Sequence, residues 1–215
     1  MQQVAQYLAT LLQEAKLVLS KEVQQNLVKY LKLLHKWSQV HNLTAIKDPL
    51  AMVSYHILDS LSILPFLATK GPVLDVGTGA GLPGIPLAIV CTDMNFILLD
   101  SKLKKINFVQ HVVTSLQLTN VQVVNARIEN YLANFKMATI VSRAFASIAT
   151  FAKLSNNLAD SATLFIAMKG KRDKAMLEDL PAGFKVIEFA SVKVPGLEAP
   201  RTLVVFRKAS NQIES

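Results

Sequence analysis

The run Val73-Leu74-Asp75-Val76-Gly77-Thr78-Gly79-Ala80-Gly81-Leu82-Pro83-Gly84 constrains the fold of this chain more than any other stretch. Its first four residues have the apolar character of a buried strand, and Ile85–Val90 behind it have that of a helix. Between them lies a turn with three alternating glycines. Glycine adopts torsions closed to other residues and lets a ligand approach the backbone closely. Strand, glycine turn and helix in this order place a ligand crevice at the strand's carboxyl end. A tight turn without a ligand is the plainer reading, but three alternating glycines in this context weigh against it.

The rest of the chain supports an α/β class. Short apolar runs (Val73–Val76, Phe96–Leu99, Val121–Val124, Thr139–Val141, Thr163–Met168, Leu203–Phe206) alternate with helical segments at Ile85–Val90, Leu103–Leu118, near Ile128–Leu132, Ile148–Leu158 and Asp173–Leu180. This rhythm predicts a mainly parallel, Rossmann-like sheet with helices on both faces. Lys185–Val194 is predicted as a further strand, with a turn at Pro195-Gly196 leading into an antiparallel last strand. Residues 1–68 instead carry helical spacing, as in Val4, Leu8, Leu11 and Ala15, and again in Val23, Leu27, Tyr30, Leu31 and Leu34. Asp48-Pro49 reads as an N-cap with proline at the first helical position, opening a helix through Leu64. The expected division is a helical cap over 1–68 and a ligand-binding domain over 69–215.

Composition narrows the function. With 51% hydrophobic and 18% charged residues the chain is not a disordered tail. A net charge of +8 favours a polyanionic partner. The single cysteine, Cys91, excludes an internal disulfide and a thiolate metal cluster, and the four histidines share no ligand spacing, so no metal is expected. No signal peptide or membrane-length apolar run is present, which predicts a cytoplasmic protein with no membrane partner.

A dinucleotide fingerprint would need a glycine where Leu82 stands. The acidic-x-Gly-x-Gly-x-Gly form at Asp75, Gly77, Gly79 and Gly81 instead resembles the first motif of class I S-adenosylmethionine-dependent methyltransferases. Asp100 closes the second strand 23 residues after Gly77, where an acidic side chain can accept ribose hydroxyls. Absences narrow the reaction. Cys91 lies on the first crossover helix, away from the strand ends, so attack on a pyrimidine ring by a thiolate is disfavoured. After the fourth strand stands Ser142-Arg143-Ala144-Phe145, without the Asn/Asp-Pro-Pro-aromatic turn of exocyclic amine methylation or an acid for ribose oxygen. An acceptor already holding a free lone pair remains, such as guanine N7, which needs alignment rather than a general base.

Further runs occur in order along nearly the whole chain: Leu33-Leu34-His35-Lys36-Trp37, His41-Asn42-Leu43-Thr44, His56-Ile57-Leu58-Asp59-Ser60-Leu61, Ala126-Arg127-Ile128-Glu129, Ser142-Arg143-Ala144, Lys169-Gly170 and the segment from Arg201 to Lys208. Together with the glycine run and Leu99-Asp100-Ser101, they resemble the RsmG/GidB family, bacterial methyltransferases of guanine N7 in 16S ribosomal RNA. The resemblance implies S-adenosyl-L-methionine as cofactor, with contacts at Gly77, Leu82, Ile128, Glu129 and Arg143, the last also positioning the reaction. The family often has His after the arginine of the last motif, where this chain has Thr202.

Basic residues are concentrated where such a substrate would lie. Between Lys136 and Lys174 seven basic residues face two acidic ones. Lys169, Lys171 and Arg172 follow the fifth strand and should rim the glycine crevice, and with Lys104, Lys105 and Arg201 they are the expected RNA contacts. The lysines of the second helix (Lys29, Lys32, Lys36) read more simply as a solvated face. Trp37 is expected in the core and Asn42 with Thr44 in a helix-closing turn. The expected activity is therefore methyl transfer to guanine N7 in 16S rRNA or the small subunit, by a monomer. Methylation of another base or a small molecule, and non-catalytic RNA binding, are the alternatives.

Overall fold

The computed structural model describes residues 1–143, 147–170, 180–198 and 200–209. Seven strands form one sheet in the order β3-β2-β1-β4-β5-β7-β6. β1 (Val73–Val76), β2 (Phe96–Asp100), β3 (Val121–Asn125), β4 (Thr139–Arg143) and β5 (Leu164–Lys169) run parallel, and β7 (Arg201–Lys208) enters antiparallel between β5 and β6 (Phe184–Val192). The strand order reverses between β1 and β4, which opens a crevice at their carboxyl ends. β1 and β2 are buried throughout because helices cover both faces.

The N-terminal helices follow from their apolar spacing. α1 (Gln2–Glu14) buries Val4, Leu8, Leu11 and Leu12. α2 (Lys21–His41) starts where the Ser20 hydroxyl accepts from Val23 N–H and ends at Asn42 in the left-handed region, with φ 47°. Asp48 caps α3 (Pro49–Met52) by accepting from Leu50 and Ala51 N–H. The expected single helix through Leu64 is more broken than its spacing predicts. π-helical turns span Val53–Leu58, a last turn α4 spans Asp59–Leu61, and a separate 3₁₀ turn covers Leu64–Phe66. Wide turns of this kind change which side chains share a face, and they recur at functional sites.

α1 and α2 share one hydrophobic cluster with α5 (Gly84–Val90) and α6 (Leu103–Leu116), including Leu27, Leu31, Leu34, Ile85, Phe108 and Val109. On the other face, Phe151 of α7 (Ile148–Ser155) meets Phe165 and Phe206 edge-on. Trp37 packs 5.5 Å from Phe108 and 5.2 Å from His111, in the packing role its spacing suggested. The expected helix over Asp173–Leu180 lies, but for its last residue, outside the described residues. Near Ile128 the structure has only one 3₁₀ turn, Ile128–Asn130.

Candidate active site

Among the described residues, two depressions lie along the carboxyl edge of the sheet. The first, about 170 Å³, lies over β1, β2 and β3 and is lined by Val76, Gly77, Leu99, Asp100, Ile128 and Glu129, among others. Gly77 has φ +71°, and a Cβ built there would meet no protein atom within 4 Å. The space beside Gly77 is therefore open. Ile128 supplies a buried apolar wall, and Glu129 is exposed at the rim.

Backbone and carboxylates brace the loop around this crevice. Asp100 is 7% exposed. Its Oδ2 accepts from Gly79 N–H at 2.9 Å and its Oδ1 from Lys102 N–H at 2.9 Å. Asp75 faces inward instead, where its Oδ2 accepts from the Thr78 hydroxyl at 2.7 Å and from Gly84 N–H at 2.8 Å. Burial pushes its carboxyl up to about 6, against the lowering effect of those two bonds. Asp75, Gly81 and Leu82 are all buried, so the structure places these three expected cofactor residues within and behind the loop, where they shape it. Gly84 is a residue the motif reading passed over. A Cβ there would strike Leu98 and come within 2.8 Å of Asp75 Oδ2. From the helical part, Tyr30 donates its hydroxyl to Ala80 O at 2.9 Å.

The second depression, about 400 Å³, lies over β4, β5 and the start of β7, and is lined by Ile46, Tyr55, His56, Asp59, Arg143, Met168, Lys169, Gly170 and Arg201. Asp75 pairs in register with Val141, and the Ser142 hydroxyl donates to Val76 O at 2.8 Å, so the two depressions are neighbours across β1 and β4. Arg143, expected as a cofactor contact, lines this second depression and not the first; its Nη1 donates to Tyr55 O at 3.1 Å and to Asp59 Oδ2 at 3.3 Å. Arg201 Nε donates to Asp59 Oδ1 at 2.8 Å. The Arg201 guanidinium also lies 5.8 Å from the Tyr55 ring centroid. His56 Nε2 bonds the Thr44 hydroxyl at 2.9 Å, and burial first, then Arg143, lowers its ring to about 4. Near neutral pH it is an uncharged imidazole. Thr44 Oγ1 also accepts from Ile46 N–H, which gives Thr44 a place in the turn after α2 and one at the pocket.

The expected RNA residues divide. Lys169 and Arg201 line the second depression, and desolvation lowers the Lys169 ammonium. Lys104 is exposed, whereas Lys105 sits 4.0 Å from Asp100 Oδ2, beside the glycine loop. Lys171 and Arg172 lie outside the described residues. Asp59 is a site residue that sequence reasoning missed, as are Tyr55 and His56 of the same depression. Asp59 was visible only as part of a resembling run, because its two partners lie 84 and 142 residues away.

Residues 23–205 match the GidB family, described as rRNA small subunit methyltransferase G. The chain belongs to this family. It is 44% identical over 188 residues to ribosomal RNA small subunit methyltransferase G of Stutzerimonas stutzeri, covering 87% of each chain. It is 48% identical over 178 residues to the same-named protein of Chromobacterium violaceum, covering 83% of this chain and 85% of that one. The fold is also that of a S-adenosylmethionine-dependent methyltransferase from Aquifex aeolicus, with TM-score 0.56, 19% identity and coverage of 85% and 98%. Family membership covers the segments that build both depressions. Among the described residues there is no cluster of side chains suited to a metal and no helix long and apolar enough to cross a membrane.

Proposed function

We propose that the chain transfers a methyl group from S-adenosyl-L-methionine to N7 of a guanine in 16S ribosomal RNA, acting as a monomer without a metal. The observation that carries this reading is the adjacency of two unlike depressions on one sheet edge of a chain in this family. One is formed by backbone, apolar walls and the carboxylates of Asp100 and Glu129. The other is formed by cations around a single acid.

The first depression suits the cofactor. The open space above Gly77 accommodates close approach, Val76, Leu99 and Ile128 suit an apolar ring, and the oxygens of Asp100 retain acceptor capacity for ribose hydroxyls. S-adenosyl-L-methionine, when bound, supplies an electrophilic methyl group on a sulfonium. The residues of this chain orient the partners and exclude water. Guanine N7 carries a free lone pair, so no side chain has to remove a proton before attack, and alignment does the work. Arg143, Lys169 and Arg201 present positive charge where RNA phosphates would approach. His56 stays neutral and adds no charge at working pH. Cys91 caps the far end of α5, and burial first, then Asp93, raises its thiol, so it has neither the position nor the ionisation of a nucleophile. Residues 1–68 act as the subdomain that closes the acceptor side.

The test is incubation of the protein with tritiated S-adenosyl-L-methionine and 16S rRNA, free or within small subunits, followed by N7-directed strand cleavage and reverse transcription. One labelled guanine that acquires a cleavage stop is the expected result. Label at another atom would favour the alternative of a different base. Absence of label in RNA, with normal RNA binding, would favour a non-catalytic RNA-binding factor.

A further inference from the structure

We propose that Asp59 is a positioning residue for the reaction: by bridging Arg143 and Arg201 it locks two guanidinium groups from separate strands into one face that receives a phosphodiester of the RNA. This inference rests on the rRNA methyltransferase reading. Arg143 ends β4 and Arg201 begins β7, and β5 lies between these strands in the sheet. The backbone ladder therefore does not bring the two arginines together. The link is Asp59, which bonds Arg143 Nη1 at 3.3 Å through one oxygen and Arg201 Nε at 2.8 Å through the other.

Three features favour orientation over simple adhesion. First, Asp59 is 4% exposed, and a buried ion pair is a weak source of stability because desolvation offsets the attraction. An apolar contact would fasten the helix to the sheet as well. Second, two cations on one carboxylate leave a net positive charge, so the cluster still attracts an anion. The side chains of Arg143 and Arg201 keep 25% and 21% exposure beside the pocket. A guanidinium has five donors in a rigid fork, so one edge can hold the carboxylate while another meets a phosphate. Third, the same helical turn grips both arginines elsewhere: Tyr55 O accepts from Arg143, and the Tyr55 ring faces Arg201. The π-helical turns Val53–Leu58 end directly before Asp59, and they set Tyr55 and Asp59 on the same pocket.

Asp59→Asn keeps the shape and removes the charge that holds both forks. The expected result is a folded protein whose affinity for S-adenosyl-L-methionine stays within about twofold, while kcat/KM for 16S rRNA falls about tenfold or more, mainly through KM. Asp59→Glu should restore part of the loss. In an Arg143→Ala, Arg201→Ala background, adding Asp59→Asn should change rRNA affinity by less than about twofold, because Asp59 acts through those residues. A folded Asp59→Asn protein with wild-type kcat and KM would overturn the proposal. So would parallel losses of cofactor and RNA affinity, the mark of a general structural lesion. If Asp59→Asn does not fold, Arg201→Lys keeps a charge and loses the planar fork. It should raise KM several-fold at unchanged cofactor affinity, and a normal KM would refute the assignment. Wild-type protein that labels no rRNA would overturn the underlying reading instead, and with it this one.

Discussion

The two halves of the active edge are built by different means. Over β1, β2 and β3 the crevice is made from one short turn and the two strand ends beside it, held by backbone N–H groups on Asp75 and Asp100. Over β4, β5 and β7 the pocket is made from side chains far apart in sequence, gathered on Asp59 of the helical part. The first half is held by main-chain N–H groups that donate to two carboxylates. The second is held by long cationic side chains, so its geometry depends on keeping the helical part seated.

The largest expected effect comes from breaking the backbone-built half. Gly84→Val would drive a branched side chain into Leu98 and the Asp75 carboxylate. Overpacking of this kind costs about 1–3 kcal/mol or more, and loss of the Gly84–Asp75 bond adds to it. Thermal melting should show a markedly lowered midpoint, and calorimetry should detect no cofactor binding. A normal midpoint would mean that the loop yields more easily than its packing implies.

Next in size, Asp100→Ala removes the acceptor for Gly79 N–H and Lys102 N–H and the expected ribose partner. Bonds to a charged acceptor contribute about 1.5–3 kcal/mol, so cofactor affinity should fall about tenfold to a hundredfold with the fold retained. Unchanged affinity by calorimetry would remove Asp100 from the cofactor site. Arg143→Lys probes the other half. It keeps the charge but cannot span Tyr55 O and Asp59 in the same plane, and kcat/KM for 16S rRNA should fall about tenfold at constant cofactor affinity. Equal loss of both would show that the two halves are not separable.

The smallest effect is on stability against pH, and the two halves should oppose each other. Asp75 titrates near 6 in the folded protein, above its ordinary 3.8, so its contribution is full below the ordinary value and is lost as pH rises through about 6. His56 titrates near 4, below its ordinary 6.5, so its contribution is present above the ordinary value and is lost as pH falls through about 4. Between about pH 4 and 6 the two contributions therefore change with opposite sign. Asp75→Asn should leave stability rising with pH across this window, and His56→Gln should leave it falling. Urea midpoints at several pH values for both variants decide the matter, and parallel profiles would refute the assignment.

The elements and the glycine turn were legible in the amino-acid sequence before any contact was known. The strand–glycine–helix run, the position of Asp100 and the alternation of apolar segments are local patterns, and local patterns follow from backbone torsion, burial and period. The strands appear within a residue or two of their expected ends, and the antiparallel strand is the last one. Three other features came from closure of the fold. Asp75 and Leu82 lie within and behind the loop, because burial of a whole strand is a property of the assembled sheet. Tyr30, expected only as a core residue, reaches Ala80 across 50 positions of chain. Asp59 joins β4 to β7 through partners that stand 84 and 142 residues further along the chain. No periodicity encodes such partners. A carboxylate on a helix looks the same in sequence whether it faces water or two arginines, and its role is set by which strand ends the closed fold brings beside it.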